Sequence, residues 1–230
     1  MDIYGYALFD IIIVAIIVAC AIEGIFKGFV VTVLSFFSYI LAIVVAKLYY
    51  PKLSFFLQHS ENLFLDIKNA IRSHVFTSVQ SGMGTEQIVN SYPLPNVMQH
   101  QAVNQINQSV TTSIADGVSA GVIGLFYDII SFILIFLLVR AVIYLAIKLL
   151  NIIAKLPVLK QVNGLGGLIA GTIKGILVVY VVCIVITPWV GFKSQGFIAE
   201  NLAHSQLALM FYKNNVIWNF VKGIQFLSLG

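Results

Sequence analysis

Four stretches of this chain, at 3–22, 28–46, 121–147 and 167–189, are long and apolar enough to cross a lipid bilayer. Crossing the hydrocarbon layer takes about 20 mostly apolar residues in a helix. With no water there to satisfy backbone polar groups, a helix is the form such a run takes. The composition agrees: 60% of residues are hydrophobic and 10% charged, against roughly 45–50% apolar and about 25% charged in soluble domains. The expected fold is therefore an all-α membrane protein with four transmembrane helices and amphipathic helices on the outer face, forming a single domain over 1–230.

The first run holds one charge, Asp10, and the second lies uncharged between Lys27 and Lys47. The third contains Asp128 and Arg140. The fourth apolar stretch extends over 164–192 and is interrupted by Lys174, leaving 175–189 as its uninterrupted part. The first run is expected to remain as a helix. Met1-Asp2-Ile3-Tyr4 lacks the positive region of a signal peptide, and a lipoprotein-like cut before Cys20 would leave a chain that re-enters the membrane at once.

Lys and Arg accumulate on the cytoplasmic side of membrane helices. With the N-terminus outside, the inner side receives Lys27, Arg140, Lys148, Lys155, Lys160 and Lys174 against the single acid Glu23, and basic and acidic residues nearly balance outside. The expectation is a multi-pass cell-membrane protein with both termini outside, a tight inner turn at 23–28 and a basic inner loop at 148–163. Outside lie a segment at 51–120 and an amphipathic tail at 193–230. Within the first, Phe56, Leu63, Ile67, Ile71 and Val75 are spaced like one amphipathic helix over 53–76. The Ser-, Gln- and Asn-rich stretch 78–116, with Pro93 and Pro95, reads as a flexible loop flanked by short helix. In the tail, Leu207, Met210, Phe211, Trp218, Phe220 and Val221 are available to rest on the outer leaflet.

Two short patterns occur twice. Phe9-Asp10-Ile11-Ile12 has a counterpart in Tyr127-Asp128-Ile129-Ile130, and Gly24-Ile25-Phe26-Lys27-Gly28 has one in Gly171-Thr172-Ile173-Lys174-Gly175. Together they predict a helical hairpin duplicated in parallel.

Ionisable side chains inside a membrane face a partner, a cavity or the interface, which singles out Asp10, Asp128, Arg140 and Lys174. Asp10 needs a partner, and Lys47 is at a compatible depth; structural pairing and a role in solute or proton movement are both open. Lys174 is expected to snorkel to headgroups, and Glu23 and Lys27 to pair across one helical turn. Gly167, Gly171 and Gly175 recur every four residues and form a small-residue face for close helix packing, within the chain or between copies in a homo-oligomer. The partners expected are thus the lipid bilayer, a second copy and other envelope proteins. No catalytic set, cofactor site or metal-ligand spacing emerges; His59, His74, His100 and His204 read as surface residues. Thirteen basic residues scattered over 230 positions form no nucleic-acid patch.

The early Asp10, the run Gly24-Ile25-Phe26-Lys27-Gly28-Phe29, and Leu165-Gly166-Gly167 continuing through Gly171, Lys174 and Gly175 resemble the CvpA, or colicin V production, family of bacterial inner-membrane proteins. Ser205-Gln206-Leu207 is similar to that family's Ser-x-Leu stretch after the last helix, and the resemblance covers nearly the whole chain. It implies a role in colicin V-type toxin production or export, or in envelope homeostasis, with no recognised active site. A structural or regulatory envelope protein is the favoured reading, and a small oligomeric channel or secondary transporter the alternative. Neither is an enzyme.

Overall fold

The computed structural model describes residues 8–59, 64–92, 94–96, 98–100, 102–103, 114–153, 163–192, 198, 201–202 and 204–223. Most of the loop expected at 148–163, the stretch 104–113, Met1 to Tyr4, Leu63, Pro93 and the tail beyond 223 lie outside them. The described helices are α1 (Leu8–Lys27), α2 (Phe29–Gln58), α3 (Leu65–Gln80), α4 (Thr85–Ser91), α5 (Ile114–Ile153), α6 (Asn163–Phe192), α7 (Gln206–Lys213) and α8 (Val216–Gly223). Among the described residues there is no strand.

Four helices have the length and hydropathy of membrane spans: Leu8–Lys27, Phe29–Gln58, Ala115–Ala146 and Gly164–Pro188. The fourth is 44% buried within the protein and the others 17–28%, which makes α6 the central helix and leaves the other three facing mainly lipid. Its pairing fits the duplication. The first helix of each hairpin packs on the second helix of the other: α1 lies along α6, α5 lies along α2, and α2 and α6 meet between them. Such cross-pairing is the arrangement that a hairpin repeated in parallel would give.

Gly28 joins α1 to α2 alone, with φ 78°, a left-handed conformation that favours glycine. From there the two helices diverge and touch little. The Gly28 carbonyl accepts from the Thr32 hydroxyl at 2.7 Å, which ties the first turn of α2 to the joint.

Two of the helices that outgrow the bilayer frame α3 and α4. At 1.5 Å per residue, the 30 residues of α2 and 40 of α5 reach about 45 and 60 Å, against ~30 Å of hydrocarbon. Their projecting ends stand on the side of the bundle that bears α3 and α4. There Ile71 and Val75 of α3, Ile88 and Val89 of α4, and Met98 and Ala102 bury themselves with Val118, Val122 and Leu125 of α5. Two expectations change as a result. The single amphipathic helix over 53–76 is two helices, because α2 runs on to Gln58 and leaves Phe56 exposed. The described part of 78–116 is a packed helical segment, because its apolar residues other than the exposed Met83 are turned into the core shared with α5.

Candidate functional site

The ionisable residues inside the bundle are held by partners from the same chain. At the end of the bundle where α1 turns into α2, Glu23 bridges two lysines. Lys27 pairs with it across one helical turn, as expected, and Lys174 of α6 donates to Oε2 at 2.5 Å. Lys174 is only 5% exposed, so it does not snorkel. A carboxylate within reach satisfies it more fully than distant headgroups, and an unpaired ammonium at this depth would be costly.

That pair is possible because α1 and α6 touch backbone to backbone. A Cβ on Gly24 would lie far inside van der Waals contact with the Gly167 carbonyl, and one on Gly167 would strike Gly24 in return. Farther along, a Cβ on Gly171 would come 3.0 Å from Ala21 Cα, and one on Gly175 2.9 Å from Ile17 Cα. The expected small-residue face is thus real, and its occupant is α1 of the same chain. Within the chain, Gly167, Gly171 and Gly175 are covered by α1.

At the opposite end, two aspartates gather the tail. Asp10 Oδ1 accepts from the Ser205 hydroxyl and from the backbone N–H groups of Leu207, at 3.1 Å, and Ala208, at 3.4 Å. Ser205 is itself the N-cap of α7, its oxygen accepting from Ala208 N at 3.0 Å. A carboxylate there meets the positive end of the helix dipole as well as its unpaired donors. Asp10 therefore does not pair with Lys47. That ammonium donates to the Phe220 carbonyl at 2.7 Å and sits 4.3 Å from the Phe220 ring centroid.

Asp128 holds the other tail helix. Lys222 of α8, 4% exposed, donates to its Oδ2 at 2.6 Å, and Ser54 of α2 donates to Oδ1 at 2.7 Å. The Lys222 ammonium also lies over the rings of Tyr50 and Trp218, 5.2 and 5.6 Å from their centroids. Burial pulls the pKa of Lys222 down, but the charge of Asp128 and the Tyr50 hydroxyl outweigh it and hold the group above the ordinary lysine value. Each repeat aspartate thus accepts a serine hydroxyl and anchors one tail helix. Ser54 comes from α2, and Ser205 follows α6, which are the corresponding helices of the two hairpins.

Arg140 stays within the bundle. Its Nη1 donates to the Ser38 hydroxyl at 2.5 Å and its guanidinium stacks 3.7 Å from the Tyr39 ring centroid. His59, His74, His100 and His204 are all exposed. Among the described residues, no three His, Cys, Asp or Glu side chains are grouped to hold a metal ion. Sequence reasoning did not find Lys222, Ser54 or the bridging role of Glu23. For Lys222 a signal was present, since it is a lysine amid the apolar residues of an amphipathic helix.

No curated protein and no solved structure matches this chain. The profile of the family described as Colicin V production protein matches residues 9–85 and 98–215. That match takes in Asp10, the Gly24 to Gly28 joint, Asp128, Arg140, the Gly167 to Gly175 seam and Ser205, and the chain belongs to the colicin V production protein family.

Proposed function

We propose that this chain is a structural or regulatory protein of the cell envelope. It would serve colicin V-type toxin production or export, or envelope homeostasis, through contacts with other envelope proteins and not by catalysis. The carrying observation is that Asp10, Glu23, Asp128, Arg140 and Lys174 all have partners within the chain. Their charges hold helices and tail together. We also propose that both termini lie outside the cytoplasm, since Lys27 and Lys174 stand at the Gly28 end of the spans and Lys148, Lys155 and Lys160 fall in sequence between the third and fourth spans.

A second reading, a small oligomeric channel or secondary transporter, draws on the cross-pairing of the hairpins, because parallel repeats recur among transporters. Reconstitution of the purified protein into liposomes separates the two. The structural reading expects no selective solute flux. Robust flux that Asp10→Asn abolishes would overturn it in favour of transport.

A further inference from the structure

We propose that α7 and α8 form a collar seated in the lipid interface, with their outward face solvated by acyl chains of the adjacent leaflet. Two independent features carry this. The first is depth. Asp10 lies 17 residues before Lys27 on α1, and Lys47 lies 18 residues after Phe29 on α2. At 1.5 Å per residue these separations are about 26 and 27 Å, close to one hydrocarbon thickness of ~30 Å. Measured from the Gly28 joint, both residues therefore stand near the far boundary of the hydrocarbon layer. The amides of Leu207 and Ala208 bind Asp10, and the backbone and ring of Phe220 bind Lys47. The start of α7 and the middle of α8 are thus pinned at that boundary.

The second feature is an apolar outward face. In α8 the charged Lys222 is 4% exposed while Val216 is 56% and Phe220 42% exposed. In α7, Tyr212 and Ala208 face the protein, and Leu207 and Met210 stand exposed beside the basic Lys213. α8 buries Ile217, Trp218 and Val221 along with Lys222, and the face it turns outward carries Val216 and Phe220 beside Asn219, a face poorly suited to water alone. It suits a surface where acyl chains cover the apolar residues and headgroups meet Lys213. This surface continues the lipid-facing side of α2, where Leu41, Leu48 and Tyr49 are exposed below and beside Lys47. The inference does not depend on whether the protein transports a solute.

Single cysteines at Met210, Val216 and Phe220, on a Cys20→Ala/Cys183→Ala background, would be labelled with an environment-sensitive fluorophore in phosphatidylcholine vesicles at low protein density. A matching label at Met83, in the turn between α3 and α4, serves as the water-exposed control. Lipids carrying a doxyl group near the headgroup are expected to quench the three tail labels several-fold more than the control, and aqueous iodide to do the reverse. Because the cysteine-free background could fold poorly, Met210→Trp and Phe220→Trp in the otherwise native chain are measured in parallel with brominated lipid, and added quenching over the native chain is expected. Iodide quenching of the tail labels equal to that at Met83 would overturn the proposal. Shielding from both quenchers would overturn it too, since the face would then be covered by protein.

Discussion

Lys222 reaches back across 94 residues to place its ammonium 2.6 Å from Asp128 Oδ2, so the tail is fastened to the bundle by an ion pair whose lysine is almost fully enclosed. Removing one partner of such a pair leaves the other charge buried and costs about 3–5 kcal/mol, whereas removing both together costs much less. Lys222→Met and Asp128→Asn should each lower the thermal midpoint of the detergent-solubilised protein clearly. Lys222→Met/Asp128→Asn should fall short of the sum of the two, and strict additivity would mean that the pair contributes no coupling.

The same lysine sets a pH dependence. Its pKa is held above the ordinary lysine value by Asp128 and Tyr50 despite burial. The folded protein therefore keeps the proton to higher pH than the unfolded chain does. The stabilisation is fully present below the ordinary lysine value and is lost as pH rises through the raised one. Tyr92, whose phenol burial pushes up to about 12, acts in the same alkaline direction. Stability against pH, followed by Trp218 fluorescence, should fall in this range, and Lys222→Phe should show a shallower fall than the native protein. Equal slopes would remove Lys222 as a source of the effect.

Asp10 gives a local prediction. It accepts from the hydroxyl and two amides that open α7. A carboxylate at a helix N-terminus contributes about 0.3–1 kcal/mol, up to ~2 when partly buried, and a serine N-cap about 1 kcal/mol. Asp10→Asn and Ser205→Ala should each speed hydrogen exchange at Leu207 and Ala208 several-fold, while amides in the middle of α6 stay protected. Unchanged exchange at Leu207 in Asp10→Asn would show that the carboxylate does not hold α7.

The four spans were legible because a bilayer imposes a long apolar run on any helix that crosses it, and Gly24, Gly28, Gly167, Gly171 and Gly175 were legible because only glycine permits such close approach or the turn at 28. The partners of the charges were much less so. Helical spacing brings Glu23 to Lys27, but only the depth of the α1–α6 seam brings Lys174 to the same carboxylate. Lys47 is a plausible partner for Asp10 by depth alone. The return of the tail decides otherwise, giving Asp10 to Ser205 and Lys47 to Phe220. Likewise, Ile71, Val75, Ile88 and Val89 have the spacing of a surface helix and a loop until the projecting end of α5 supplies the wall they bury against. Trp218 and Val221 illustrate the same limit: they were read as lipid-facing and instead lie in the protein core, since Lys222 turns that face of α8 toward Asp128.

The glycine seam makes the sharpest test, because its contacts are backbone to backbone and no flexible side chain can yield. Gly24 and Gly167 occupy one crossing point, so a methyl group on either pushes α1 from α6. Overpacking of a tight interior costs roughly 1–3 kcal/mol and sometimes more. Separation would also lengthen the Lys174–Glu23 pair and weaken a second interaction. Gly24→Ala and Gly167→Ala should therefore each destabilise the protein strongly, and the double variant should cost less than their sum, since the first substitution already opens the seam. Gly84→Ala is the control: it stands at φ −74° with open space around its Cβ position and should be nearly neutral. Thermal unfolding in detergent reads all four proteins. If Gly24→Ala unfolds at the same temperature as Gly84→Ala, α1 and α6 do not pack as closely as the structure has them.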